Sequence, residues 1–352
     1  MANLETQILD DIIVKSRRKM LTLGGAALAG LVLSSAETAH AAVAYTDADI
    51  LNFALNLEYL EANFYYLAAF GCTIDKPNTA AITAGAPSAG IPITGSVGTP
   101  GTVTATGTTK VPFLSDVTIA SYANETAIEE GKHVLFLQSA LGSAAVAQPA
   151  INLDVAAGGA WPTLATAAKI PGGSGFSPYT SDTNFLIGAY VFEDVGVTAY
   201  HGAASLLTVS GNLSAAASIL AVEAYHAGLV RTTINALDPG ATTLGLYAGL
   251  ISTLRANLAL AGLLGAAPST YDATPDDFGT ATFSVTLAGV TGYTGTRIVD
   301  ADATNTIAFA RNTTQVLNIV TGGGAVSGTT AVSPAKGVFF PAGMNAGPNG
   351  FK

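Results

Sequence analysis

The chain has 352 residues, of which 49% are hydrophobic and 11% charged. That is ample apolar surface for a core and excludes a disordered chain; the 39 glycines show no period of three, and charge is too sparse to flank heptads, which excludes collagen-like and coiled-coil classes. The net charge of −10 repels phosphate backbones, so no nucleic-acid partner is expected, and the single cysteine, Cys72, permits no internal disulfide.

The first segment reads as an export leader. Ser16-Arg17-Arg18-Lys19-Met20-Leu21 matches a twin-arginine pattern, and Ala39-His40-Ala41 offers a small-x-small cleavage site. The weakly apolar stretch between them, Leu21 to Ser35, is about 15 residues, short of the roughly 20 that span a bilayer. Residues 1–41 are therefore expected to be a signal peptide, the alternative being an uncleaved anchor. The protein is expected to be periplasmic or extracellular, with no integral span after cleavage. The later apolar stretch from Ala241 to Ala267 carries Arg255 and Asn257 and reads as a core helix.

Five helices follow in chain order. The first is predicted over Asp47–Phe70, with Thr46 and Asp49 in a capping-box arrangement. The second is Val117–Leu141, ending at Gly142. The third is Asp182–Val209, capped by Ser181 and stopped by Gly211. The fourth is Ser214–Leu237, stopped by Asp238-Pro239-Gly240, and the fifth is Thr242–Leu264. The third and fourth are joined by a short link and should be antiparallel neighbours. A Gly/Thr/Pro-rich insert of about 73–115 suggests a short hairpin or two. A long link, Gly142 to Tyr179, carries Trp161, for which the sequence suggests no role. After Pro268 the chain turns to Thr, Val, Gly and Asp, with a strand pattern over Thr282–Leu287 and a short helix over Thr313–Val320. The expected division is a helical domain over 42–265 and an extension over 266–352, β or irregular, packed on the helices.

The chemistry concentrates in glutamate and histidine. After the leader there are seven glutamates, Glu58, Glu61, Glu125, Glu129, Glu130, Glu193 and Glu223, all in the first four predicted helices. Of the three histidines in that region, His133 and His226 stand three residues after Glu130 and Glu223. Residues i and i+3 share a helix face, with Cβ atoms about 5–6 Å apart, so each pair brings a carboxylate and an imidazole to one metal ion. On the other two helices Glu58 precedes Tyr65, and Glu193 precedes Tyr200, by seven residues. Seven steps return to within roughly 20° of the starting face, so each tyrosine lies on its glutamate's stripe. The order Glu…Tyr, Glu-x-x-His, Glu…Tyr, Glu-x-x-His is a twofold repeat of helix pairs. Four ionised glutamates converging in an apolar bundle repel one another and are costly to bury, whereas two divalent cations balance them.

One glutamate from each of two helices, plus Glu-x-x-His from each of two others, resembles the ferritin-like di-metal carboxylate family over about Asp47 to Leu237. The resemblance implies a mainly α fold, a four-helix bundle here carrying an extra helix, the insert and the tail. It implies metal-ligand roles for Glu58, Glu130, His133, Glu193, Glu223 and His226. Glu61 lies about 60° from Glu58 and competes with it for the single-glutamate role. Tyr65 and Tyr200 are candidates to donate hydrogen bonds to ligands, to carry an electron, or to pack. Asp194 is a candidate to orient a ligand histidine. Glu125 and Glu129 are expected at the surface or next to ligands, and His201 off the site.

More narrowly, Leu55-Asn56-Leu57-Glu58-Tyr59-Leu60-Glu61-Ala62-Asn63-Phe64-Tyr65 and Phe192-Glu193-Asp194-Val195-Gly196-Val197-Thr198-Ala199-Tyr200 resemble exported bacterial ferritin-like proteins, some labelled desiccation-related. So do Phe309-Ala310-Arg311 and Gln315-Val316-Leu317. Oxygen-rich ligation with one nitrogen per ion suits iron or manganese. The resemblance implies two such ions and an oxidoreductase acting on peroxide, dioxygen or ferrous iron. The alternative is a non-catalytic envelope or stress protein whose metals are structural. A homo-oligomer is compatible with either.

Overall fold

The computed structural model describes residues 45–76, 90–261, 276–280, 282–287, 290–302, 305–322 and 337–346. The expected leader, part of the insert and the end of the fifth predicted helix lie outside them. The described helices are α1 (Asp47–Phe70), α2 (Val117–Leu141), α3 (Ala160–Ala167), α4 (Asp182–Ala204), α5 (Ser210–Leu237), α6 (Leu244–Ala261) and α7 (Thr313–Thr321). The strands are β1 (Val103–Thr104), β2 (Ile151–Asn152), β3 (Thr282–Leu287) and β4 (Val290–Thr296).

The mainly helical fold is as expected, and α1 begins and ends where its signals place it. Thr46 and Asp49 close a reciprocal capping box. Gly71 stops the helix in the left-handed region at φ 74°, a conformation that costs a residue without Cβ little. Asp116 caps α2 and Ser181 caps α4 in the same side-chain-to-backbone manner.

The α4–α5 boundary differs from expectation: α4 ends at Ala204 and α5 starts at Ser210. The turn that leads into α5 is tied to another helix. Asp47 at the start of α1 accepts from the backbone N–H groups of Thr208 and Val209, at 2.9 and 3.0 Å. A local reading cannot find a partner more than a hundred residues away.

α1, α2, α4 and α5 form the bundle. α1 packs chiefly on α2, and α4 on α5, with a lighter α1–α4 contact. Contacts at Glu58–Tyr200 and Tyr65–Glu193 show α1 and α4 running antiparallel, since position rises on one helix as it falls on the other. Tyr59–Gln138 and Asn52–Ala144 show the same for α1 and α2.

The two layers differ in burial. Every α1 residue from Asp49 to Ala69 is buried except Ala54, whereas α2 and α5 each keep a solvent face. α5 is long and apolar enough to cross a membrane by length and composition. Its buried face nevertheless carries Glu223, His226 and Arg231 into the bundle.

A helix buried on all sides must satisfy its polar groups internally. In α1 an asparagine stripe does so. Asn52 donates to Ala144 O and accepts from Val146 N; Asn56 donates to Asn345 O and accepts from Asn345 N; Asn63 donates to Gln148 Oε1 and accepts from Ile74 N. These bonds fasten the long link and the tail to the bundle.

The link also contains α3, which the sequence reading missed. Pro162 sits in its first turn, where a missing N–H costs no helix bond. Trp161 is fully buried, with ring centroids 5.3 Å from Phe64, 5.5 Å from Phe192 and 5.4 Å from Phe339. It joins α1, α4 and the tail. The described part of the insert is not a hairpin: β1 pairs in parallel with β2 of the link, Val103 opposite Ile151. β3 forms as expected and pairs antiparallel with β4.

Behind the bundle, α6 and α7 pack on α4, and a buried charge network joins them. Asp194 of α4 accepts from Arg231 Nε and Nη2 at 2.8 and 2.9 Å, and from Arg255 Nη2 at 2.7 Å. Arg255 also grips Asp277 with Nε and Nη2 at 2.8 and 2.9 Å, and Arg311 Nη2 reaches Asp277 at 3.1 Å. The Tyr190 ring lies under both Arg231 and Arg255, 5.2 and 4.7 Å from their guanidinium carbons. Asp194 thus serves the arginines, not a histidine.

Candidate metal centre

Each half of the bundle presents its donors from mid-helix, where backbone hydrogen bonding fixes position. On α2 Glu130 and His133 share one face, and on α5 Glu223 and His226 do the same. α1 contributes Glu58 and α4 contributes Glu193. All six side chains are buried, and the structure brings them together between the four helices.

His133 Nδ1 lies 3.2 Å from Glu58 Oε2, 3.5 Å from Glu130 Oε2 and 3.6 Å from Glu223 Oε1. His226 Nδ1 lies 3.0 Å from Glu130 Oε1 and 3.5 Å from Glu193 Oε2. The two imidazole centroids are 6.4 Å apart. Glu130 therefore faces one histidine with each oxygen. Two overlapping groups result, Glu58–Glu130–His133–Glu223 and Glu130–Glu193–His226, each with ligand atoms within 4.8 Å of one another.

Whether these residues fit a cation is decided by their unpaired atoms. Glu58 Oε2, Glu193 Oε2, both oxygens of Glu130 and Glu223, and Nδ1 of both histidines are buried without a hydrogen-bond partner. Buried polar atoms are ordinarily satisfied, and leaving one orphaned costs about 1–3 kcal/mol. Eight in one place suit a multivalent cation. Donors bound to an ion at ~2.1 Å stand roughly 3 Å apart, the spacing found around both histidines.

The remaining glutamate oxygens are tied down. Tyr65 of α1 donates to Glu193 Oε1 of α4, and Tyr200 of α4 donates to Glu58 Oε1 of α1. Each tyrosine serves the other helix's glutamate rather than the one on its own stripe. Burial and the adjoining carboxylates hold both phenols far above the ordinary tyrosine range, so they remain donors. With Oε1 occupied, Oε2 of each glutamate is the atom left facing the centre.

Glu129 lies outside this set but touches it: its Oε2 is 2.8 Å from His226 Nε2. It fills the histidine-orienting place that the sequence suggested for Asp194. Glu61 is buried beside Glu58 rather than replacing it, and groups with Glu193 and Glu223. His201 stands off the centre, its Nδ1 3.1 Å from Phe309 O. Gly196 gives the Glu223 carboxylate its place: a Cβ there would force that carboxylate to shift.

The electrostatics without metal are those of a site missing positive charge. Burial raises Glu58 to about 7, with His133 opposing and Glu130 adding to the rise. Burial, reinforced by neighbouring carboxylates, raises Glu61 and Glu223 further. Burial raises Glu193 against the pull of His226. Glu130 goes the other way: burial opposes its charge, but His133 and His226 outweigh burial and hold it well below the carboxylate range. Burial alone would lower His133, yet Glu58 and Glu130 push it to about 12; His226 is raised likewise, by Glu193 first. The two imidazolium groups supply the positive charge that faces these carboxylates.

Residues 46–236, which take in the four bundle helices up to the last residue of α5, match the ferritin-like domain family. The chain is also similar to Desiccation-related protein PCC13-62 of Craterostigma plantagineum, with 31% identity over 221 residues. That alignment covers 60% of this chain and 62% of the relative, less than two thirds of the relative's length. No solved structure matches the chain.

Proposed function

The chain belongs to the ferritin-like domain family, and on that premise we propose that it is an exported di-metal protein that binds two iron or manganese ions. Its proposed activity is an oxidoreductase reaction on peroxide, dioxygen or ferrous iron, serving protection in oxidative or desiccation stress. The observation that carries the metal reading is the convergence of eight unpaired buried donor atoms from four helices. The stress setting is supported by the name of the similar protein, and export by the twin-arginine pattern in residues 16–21.

Glu58 and His133 would hold one ion and Glu193 and His226 the other, with Glu130 and Glu223 between them. Bound iron or manganese would supply an electron source and sink beside an oxygen-containing oxidant. The chain's own residues do the rest. Tyr65 and Tyr200 keep their protons and fix Glu193 and Glu58 in rotation. Glu129 holds the His226 ring from behind, which sets which nitrogen faces the centre. The apolar flanks of α1 and α4 exclude water and strengthen every charge interaction within.

A second reading keeps the metals but not the turnover. The donor set is also the meeting point of all four bundle helices, so cations there would hold the fold together. Multiple-turnover assays of the metal-loaded chain with hydrogen peroxide and with ferrous iron separate the two. Sustained turnover supports the oxidoreductase. Tight binding of two ions, no turnover and melting on chelation support the structural role.

A further inference from the structure

The centre has a near-twofold arrangement in which α1 matches α4 and α2 matches α5. Glu58 corresponds to Glu193, and the residue one turn later on each helix should correspond as well. After Glu193 that residue is Gly196, and after Glu58 it is Glu61. The symmetry fails at this pair. On the α4 side there is no carboxylate, and the Glu223 carboxylate lies against Gly196 in its place. On the α1 side a whole extra carboxylate enters the centre.

Glu61 is 5% exposed, and its Oε2 has no hydrogen-bond partner. It groups within 4.8 Å with oxygens of Glu193 and Glu223, and not with Glu58, His133 or His226. Of the two single glutamates it is thus placed with Glu193, whose Oε2 lies 3.5 Å from His226 Nδ1. We propose that Glu61 is a seventh donor belonging to the Glu193–His226 position, so that the two cation positions are unequal. One would be held by Glu58 and His133, the other by Glu193, His226 and Glu61, with Glu130 and Glu223 shared.

This inference rests on the di-metal reading and deepens it. Five carboxylates exceed by one the negative charge that two divalent cations balance, and the surplus lies on the Glu61 side. An ion there gains an added anionic ligand, so that position fills first and tolerates a higher ionic charge.

The test is titration of the metal-free full chain with Co(II), followed by calorimetry and by visible absorption. The expected wild-type result is two resolved steps reaching two ions per chain. Glu61→Gln should weaken the first step by roughly 10- to 100-fold and leave the final stoichiometry at two. His226→Ala should weaken that same first step, whereas Glu58→Gln and His133→Ala should weaken the second. Glu61→Asp, which keeps the charge, should restore part of the first step. The Glu61→Gln apoprotein should melt no lower than wild type, because the change removes a buried acid.

Two Co(II) ions in wild type with both steps unchanged in Glu61→Gln would overturn the role of Glu61 alone. So would a loss in Glu61→Gln confined to the step that Glu58→Gln affects. A wild-type chain that takes up no Co(II) would overturn the di-metal reading, and this inference with it.

Discussion

Tyr65 of α1 hydrogen-bonds Glu193 of α4, across the bundle from the glutamate on its own helix. Tyr200 returns the contact by bonding Glu58. The antiparallel register of α1 and α4 makes the two bonds equivalent, and each occupies one oxygen of a glutamate whose other oxygen faces the centre. Tyr65→Phe should therefore leave Glu193 Oε1 buried and unpaired. The expected cost is about 1–3 kcal/mol of stability and about tenfold in affinity for the ion beside His226. Chemical denaturation and metal titration check it; Tyr200→Phe should act in the same way through Glu58.

The metal-free protein should lose stability as pH rises. Burial raises Glu58 from 4.5 to about 7 in the folded chain, so between those values the folded state binds more protons than the unfolded one. Stability then falls with pH across that window, by ~3 kcal/mol from this group. His133 adds to the trend higher up. Its folded pKa of about 12 lies above the unfolded 6.5, so its contribution is complete below 6.5 and is lost as pH rises toward 12. Urea melts of chelator-treated protein from pH 4.5 to 8 should show the decline, and metal-loaded protein should show it reduced or reversed.

Metal loading should release protons. His133 and His226 are both protonated at neutral pH in the metal-free centre, and a metal accepts only the neutral imidazole. Calorimetric titrations in buffers of different ionisation enthalpy should give at least one proton released per ion bound near pH 7. A binding heat independent of the buffer would contradict this.

The charge network behind the bundle should be separable from the metal centre. Asp194→Asn leaves Arg231 and Arg255 short of a buried counter-charge. Breaking such a pair costs about 3–5 kcal/mol. The melting temperature should fall in metal-free and metal-loaded protein alike. The number of ions bound at saturation should stay as in wild type.

The sequence revealed most where a signal is local. α1 was legible to its ends because Thr46, Asp49 and Gly71 are adjacent to the turns they control. Glu130–His133 and Glu223–His226 were legible because three-residue spacing has one meaning on a helix. What was hidden depended on distant partners. A seven-residue spacing places Tyr65 on a stripe but does not say which helix faces that stripe. Asp194 looked like a support for histidine because its arginine partners sit at 231 and 255, on other helices. α3 was hidden because eight residues including Pro162 carry too short a period to read. The asparagines at 52, 56 and 63 were a usable signal. Their spacings of four and seven put amides on one face of a largely apolar helix, where each must find a partner.

In the proposed centre Glu58, Glu130, His133, Glu193, Glu223 and His226 together hold a pair of cations. Anomalous-scattering maps from crystals of the chain grown with Fe(II) or Mn(II) should show two peaks there, one at His133 Nδ1 and one at His226 Nδ1, with Glu130 reaching both. Maps with no peak among these six residues, in crystals saturated with either metal, would contradict that proposal.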